Sequence, residues 1–238
     1  MQPIILMKAS GEQEVFSEKK FRRSLKRSGA SEETIAIVLQ QLLPELYNGI
    51  TTKKLYQMVR KLLKKTKATS VVGRYHLKNA IFELGPSGFP FESFIGKLLA
   101  KQGYSIEIGK RLPGKCASSH ETDVLATKDN DRILIECKFH NQPGINATIR
   151  TSLYLKARFD DITEKYIENH EKPPCSASWI VTNTRFTSMA IEYGECRGIV
   201  MRSWSYPKND GLKDMIDTYG LHPITCLSSI SKKNMQLY

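Results

Sequence analysis

Several features are scarce or missing in this 238-residue sequence, and each absence narrows what the protein can be. Only five cysteines occur, at positions 116, 137, 175, 196 and 226, with no Cys-x-x-Cys spacing. That argues against both a disulfide framework and a structural zinc site. No apolar run reaches the roughly 18 residues of a membrane-spanning helix, and Met1-Gln2-Pro3-Ile4 does not lead into a signal-peptide core. A cytoplasmic protein with no membrane partner is the expectation. There is no Gly-x-x-x-x-Gly-Lys-[Ser/Thr] loop, so P-loop nucleotide hydrolysis is not expected. Acidic side chains are also short, 24 against 36 Lys and Arg, for a net charge of +12. Such an excess suits polyanionic partners.

What is present is enough for a core. Hydrophobic residues make up 40% of the chain and aromatics 9%, which excludes general disorder. The length suits one large domain or two small ones. The charge is uneven: residues 1–85 carry a net +9 and residues 86–238 a net +3. The turn-rich run Gly85-Pro86-Ser87-Gly88-Phe89-Pro90 lies where the composition changes. Two domains are therefore predicted, 1–85 and 86–238.

In the first, Ile4 to Lys8 and Gln13 to Phe16 flank Ser10-Gly11 and read as a small β-hairpin. Ser17 is placed to cap a helix over Glu18 to Ser28, with Phe21 and Leu25 on its inner face. Ser31 opens a second helix, in which Ile35, Val38, Leu39, Leu42 and Leu43 recur at helical spacing. Thr51 or Thr52 caps a third, and a fourth is predicted from Tyr75 to Leu84. Lys19, Lys20, Arg22, Arg23, Lys26 and Arg27 are compatible with a solvated helix face, a nucleotide site or a surface for nucleic acid.

The run Leu6-Met7-Lys8-Ala9-Ser10-Gly11, followed by Glu14-Val15-Phe16-Ser17-Glu18-Lys19-Lys20-Phe21, resembles the ATP-cone, a module that binds ATP or dATP. Gly49-Ile50-Thr51-Thr52-Lys53-Lys54-Leu55 and Tyr75-His76-Leu77-Lys78-Asn79-Ala80 resemble its later helices. The resemblance implies nucleotide contacts from Lys8, Glu14, Ser17, Lys20 and Thr52, with Leu6 against the base. Ala9 stands where the family often has a basic residue.

The second segment opens with an amphipathic helix over Phe89 to Gln102, with Glu92 in its first turn, and a short strand from Tyr104 to Ile108. His120 to Thr127 and Arg132 to Phe139, joined by Lys128-Asp129-Asn130-Asp131, form a predicted β-hairpin. Alternate residues of a strand share a face, so Glu136 and Lys138 point one way and Ile133 and Ile135 the other. Asp123 on the partner strand can meet Glu136 across the ladder. Two close carboxylates repel, and a hard divalent cation, Mg2+ or Mn2+, relieves that repulsion. The backbone carbonyl of Cys137 can add an oxygen ligand. Lys138 can hold an attacking water or stabilise charge on a phosphate. An ion-pair ladder on an edge strand is the competing reading. His120 reads as a solvated loop residue or a substrate contact, Cys137 as a buried inert thiol or, if its thiolate is favoured, a redox switch, and Trp179 as core, while Arg150, Lys156 and Arg158 face either DNA phosphates or solvent.

Asp123 followed by Glu136-x-Lys138 resembles the PD-(D/E)XK nuclease motif, and Phe91-Glu92-Ser93-Phe94-Ile95 resembles the helix that opens Mrr-like restriction endonuclease domains. Trp179 to Asn183, Phe186 to Ala190 and Gly198 to Met201 resemble the later strand–helix–strand of that family. The resemblance implies metal ligation by Asp123, Glu136 and Cys137, assistance by Glu92 and a catalytic role for Lys138. The fold expected is α/β (α+β), a hairpin-plus-helices cone followed by a mixed central sheet flanked by helices. The function expected is Mg2+-dependent DNA cleavage, by a homodimer or larger assembly, governed by bound ATP or dATP. A non-catalytic nucleotide-responsive DNA-binding regulator and a nucleotide-controlled assembly module are the alternatives.

Overall fold

Local sequence signals fix most element ends in the computed structural model, which describes residues 3–66, 68–129 and 131–226. The chain divides into two units: residues 1–80 with those from His222 onward, and Ile81–Leu221. The division lies inside a helix, a little before the Gly85–Pro90 turn. Thr225 anchors the returning segment, its hydroxyl donating to the Ala80 carbonyl at 2.7 Å.

The first unit begins with the expected hairpin, β1 (Ile5–Met7) against β2 (Gln13–Val15), with Gly11 taking the positive φ of the turn. Helix α1 (Glu18–Arg27) is capped by Ser17, whose hydroxyl accepts from the Lys20 N–H, and α2 (Glu32–Leu42) by Ser31. A strand that sequence periodicity did not suggest, β3 (Ile50–Thr51), pairs in parallel with β1. Two residues are too short a run to show alternation. Thr51, not Thr52, caps α3 (Thr52–Lys65). Helix α4 (Thr69–Phe82) starts well before Tyr75. Val71 and Val72 are buried, and that tertiary packing extends the helix past what its β-branched start favours. Leu25, Ile35, Leu42 and Leu63 are fully buried in this unit, each stabilising it by roughly 1.5–3 kcal/mol.

The second unit runs α5 (Phe89–Ala100), β4 (Ser105–Leu112), β5 (His120–Lys128), β6 (Asp131–Lys138), β7 (Asn146–Ala147) and α6 (Ile149–Glu168). It continues with β8 (Ala177–Thr182), β9 (Arg185–Phe186), α7 (Ser188–Cys196), β10 (Val200–Arg202) and α8 (Leu212–Tyr219). Five strands form a mixed sheet in the order β10-β8-β6-β5-β4, antiparallel from β4 to β6 and parallel from β6 through β8 to β10. The fold is thus α+β. The sheet divides its side chains as strand alternation requires. Val124 pairs with Ile135 and Ala126 with Ile133, in line with Ile108 and Ile106 of β4. A Cβ on Gly96 would fall within about 3 Å of those two isoleucines, so α5 lies on that face. On the opposite face Leu125, Leu134 and Ile180 pack with Leu155 and Ile162 of α6. Among the described residues no helix is long and apolar enough to cross a membrane.

His120 is not a solvated loop residue. It opens β5, and its Nε2 lies 2.6 Å from the Asp161 carboxylate on α6. The backbone N–H groups of Cys116 and Ala117 donate to the same carboxylate. Gly114 is required in this clamp, because a Cβ there would lie 2.0 Å from Asp161 Oδ2. The His120 contact, and then the Cys116 N–H, hold the Asp161 pKa well below the usual carboxylate range. A depressed carboxylate contributes stability that is present above its unfolded pKa, near 3.9, and is lost as pH falls through the folded value. Asp161→Asn is therefore expected to lower stability at pH 7, with its denaturation curve converging on wild type as the medium is acidified below about pH 4. Urea titrations at pH 3, 5 and 7 check this; a constant difference across the series rules out the carboxylate as the cause.

Candidate functional site

The register of the sheet explains where Asp123 and Glu136 sit. The β5–β6 ladder runs from Lys128–Asp131 to Val124–Ile135 and stops there, so the next pair in line, Asp123 and Glu136, is unzipped. The β4–β5 ladder is interrupted at the same place. Gly109 lies opposite Asp123 in register but is unpaired, with a φ of +65° that a glycine tolerates. The strands part, and the Cys137 N–H, freed from the ladder, donates to Asp123 Oδ2 at 2.7 Å. Asp123 and Glu136 do not meet as cross-strand neighbours; they flank the gap.

Strand alternation puts Asp123 with Leu125, and Glu136 and Lys138 with Leu134, on the face covered by α6. Arg158 projects from that helix and its Nη1 donates to Glu136 Oε2 at 2.7 Å. The pair is well buried, with 7% of the Arg158 side chain and 15% of the Glu136 side chain exposed. Arg158 is thus not a DNA-facing surface residue. Its place on a basic helix gave no sign of a buried partner on a strand 22 residues away. Lys156, also assigned to that surface, pairs instead with Asp160. Trp179 is only half-buried, with the Arg202 guanidinium stacked 4.6 Å from its ring.

Glu92 comes from the first turn of α5. Gly88 leaves room for its carboxylate, since a Cβ there would lie 3.0 Å from Glu92 Oε1. Burial, then the charges of Asp123 and Glu136, push the Glu92 pKa up to about 7. Asp123 is raised mainly by burial, opposed by the Cys137 N–H and Arg158. Glu136 is raised by burial and then by Asp123, opposed by Arg158. The three carboxylates therefore feel one another across the gap. Lys138, exposed at the end of β6, lowers the pKa of both Asp123 and Glu136.

These oxygen donors suit a hard cation, and their mutual repulsion would be relieved by one. Among the described residues no three His, Cys, Asp or Glu side chains form a ready metal cage. A set of one or two carboxylates matches Mg2+, which keeps several waters and is completed by substrate oxygens. Burial pushes the Cys137 thiol well up, so any contribution from Cys137 comes from its backbone and not from a thiolate.

In the first unit, β1 pairs Leu6 with both Glu14 and Ile50, and Met7 with Thr51. Glu14 holds two lysines, Lys8 at 3.2 Å and Lys20 in a shorter pair, while Lys8 also reaches Glu12 at 3.3 Å. Lys20 and then Lys8 lower the Glu14 pKa. Leu6, Lys8, Glu14 and Lys20 are thus brought together. Thr52 follows β3 at the start of α3, next along from the residue paired with Met7. The Ser17 oxygen is already committed to capping α1.

One polar cluster escaped the sequence reading. His140, two residues beyond Lys138, is hydrogen-bonded to Asn183 and Thr184 just past β8, and Thr184 in turn to Thr182. The spacing Glu136-x-Lys138-x-His140 was its only sequence signal.

No family model matches the chain. It belongs to the same family as an uncharacterized protein of Archaeoglobus fulgidus, with 36% identity over 133 residues, which are 56% of this chain and 71% of that protein. The crystal structure of a protein of unknown function, AF1548, is similar at a TM-score of 0.54 and 31% identity, over 63% of this chain and 76% of that one. The structure of Can2 from Sulfobacillus thermosulfidooxidans in complex with cyclic tetra-adenylate aligns over 91% of this chain and 69% of that one, at 14% identity and a TM-score of 0.35.

Proposed function

We propose that the second unit is a metal-dependent DNA endonuclease resembling the Mrr-like PD-(D/E)XK enzymes, and that the first is an ATP-cone that makes it responsive to ATP or dATP. The observation that carries the nuclease reading is the unzipped end of the β5–β6 ladder. There Asp123 and Glu136 flank a gap that Glu92 senses from the other face of the sheet, with Lys138 beside them.

Asp123 and Glu136, with the Cys137 carbonyl, would hold Mg2+ or Mn2+. When bound, the ion supplies Lewis-acid stabilisation of phosphate charge and a more acidic water. The chain's own residues do the rest. Lys138 is solvent-exposed and can donate to a phosphate oxygen or hold the attacking water by hydrogen bond. Glu92, close enough to feel the charges of Asp123 and Glu136, would assist the metal site from the first turn of α5. Arg158 fixes Glu136 in place through its 2.7 Å bond. The excess of basic residues favours approach of a DNA backbone. Cutting both strands is served by two facing sites, so a homodimer or larger assembly is part of the reading. Incubation of plasmid with protein and Mg2+ or Mn2+, with EDTA as control, tests it directly; uncut plasmid with both metals refutes it.

The Lys8–Glu14–Lys20 cluster supports the nucleotide site. A triphosphate placed there gains two cations already drawn together by Glu14. Micromolar binding, about −8 kcal/mol, is expected. Lys8→Ala combined with Lys20→Ala should weaken ATP and dATP binding at least about tenfold by calorimetry, as two charge-assisted bonds are lost. Basal cutting should remain while its response to nucleotide disappears. Equal nucleotide affinity in the double variant would move the site elsewhere.

A further inference from the structure

His140 is held more firmly than a residue at a strand exit needs to be. The buried Asn183 grips its backbone at two points, the Oδ1 accepting from the His140 N–H at 2.9 Å and the Nδ2 donating to the His140 carbonyl at 2.7 Å. Its ring Nδ1 lies 3.0 Å from the Thr184 hydroxyl, and that hydroxyl lies 3.2 Å from the hydroxyl of Thr182. Thr182 and Thr184 are both buried.

Satisfying every proton of this cluster favours one hydrogen-bond direction. The Thr184 backbone N–H can only donate, and it reaches Thr182 Oγ1 at 3.3 Å. Thr182 Oγ1 accepts there, and its own proton goes to Thr184 Oγ1, since a buried hydroxyl is costly to leave unpaired. The Thr184 proton is then the one directed at His140 Nδ1. With Nδ1 an acceptor, the neutral ring carries its proton on Nε2. Burial and then the nearby Lys138 ammonium hold the imidazole below the ordinary histidine pKa, which agrees with a neutral ring. Among the described residues nothing partners Nε2, and the ring is only half-buried.

We infer that His140 is a substrate-contacting residue, whose Nε2–H donates to a non-bridging phosphate oxygen of the nucleic-acid backbone beside Lys138. A neutral donor suits this place. It adds a directed hydrogen bond without a second full charge next to the Lys138 ammonium, and the threonine chain keeps it a donor rather than an acceptor. The inference rests on the nuclease reading for the identity of the anion, but not for the geometry of the ring.

The test is equilibrium binding of a labelled short DNA duplex, measured by anisotropy in Ca2+, alongside plasmid cutting in Mg2+. His140→Ala should weaken duplex binding about tenfold, the value of one hydrogen bond to a charged group. His140→Gln, whose side-chain amide can donate from nearly the place of Nε2, should recover most of that loss. Thr184→Val removes the hydroxyl that sets the tautomer while keeping the shape, and should fall between them. Thermal melts separate these effects from misfolding, and the recovery by glutamine is something a purely structural histidine would not give. Wild-type affinity in His140→Ala, or no recovery with glutamine, overturns the inference. If wild type binds the duplex through His140 yet leaves plasmid intact, the nuclease reading falls and this contact stands. If cutting persists and His140→Ala changes nothing, the contact falls and the nuclease reading stands.

Discussion

Asp123→Ala and Lys138→Ala are each expected to reduce plasmid cleavage by about 10³-fold or more while leaving the second unit folded. The magnitude follows from what is removed. An electrostatic group aimed at developing charge, or a group that positions a proton transfer, contributes roughly 10²–10⁴ to a rate. Lys138 is exposed, so truncating it creates no cavity. Asp123 is half-buried and accepts one backbone N–H, from Cys137. Its loss strands that donor at a cost of about 1–3 kcal/mol, partly offset because a carboxylate crowded by Glu136 is gone. Initial rates on supercoiled plasmid in Mg2+, with circular dichroism as the check on folding, give the result. Either variant cutting like wild type would remove that residue from the site.

Removing Arg158 is expected to destabilise the second unit strongly. Arg158→Met leaves Glu136 buried without its counterion, close to Asp123 and Glu92. Breaking one side of a buried pair costs about 3–5 kcal/mol. At roughly 3 °C per kcal/mol for a unit of this size, that is a drop in Tm of about 9 °C or more. The loss should be smaller at pH 5 than at pH 8. Glu136 has a raised folded-state pKa, so its uncompensated charge is neutralised by a proton in acid and is not neutralised in base. Adding Glu136→Gln to Arg158→Met should recover most of the stability, because no buried charge is then left alone. Melts in EDTA of both single variants and the double variant form the cycle. A pair worth less than about 1 kcal/mol would mean that Glu136 finds another cation.

Much of the second unit was readable from residue order because it is built from local signals. Alternation of Ile133, Ile135 and Cys137 against Leu134, Glu136 and Lys138 fixed the faces of β6. Lys128 and Asp131 closed the hairpin, with Asp129 taking a φ of 54°. In the first unit, Ser17 and Ser31 capped their helices by the bonds their side chains make to a free backbone N–H. These effects act over two to four residues, within reach of one-dimensional patterns. Strand β4 was harder. Its outer half, through Gly109, Lys110 and Arg111, carries no apolar alternation, and it is a strand because β5 supplies its partners.

The sequence by itself determined the composition limits, the hairpin that presents Asp123 and Glu136, and the pairing of Glu136 with Lys138 on one face. Only the tertiary structure decided that the ladder opens at Asp123, that Arg158 turns inward, that His120 is clamped to Asp161, and that Asn183 and Thr184 fix His140. The last three of these join residues 22 to 44 positions apart. Such a contact forms only when helix and sheet burial has already brought the groups together, and it then decides which charges and hydrogen-bond donors are left for a ligand. A buried polar group must find a partner, and which partner is near is a property of packing, not of local order along the chain.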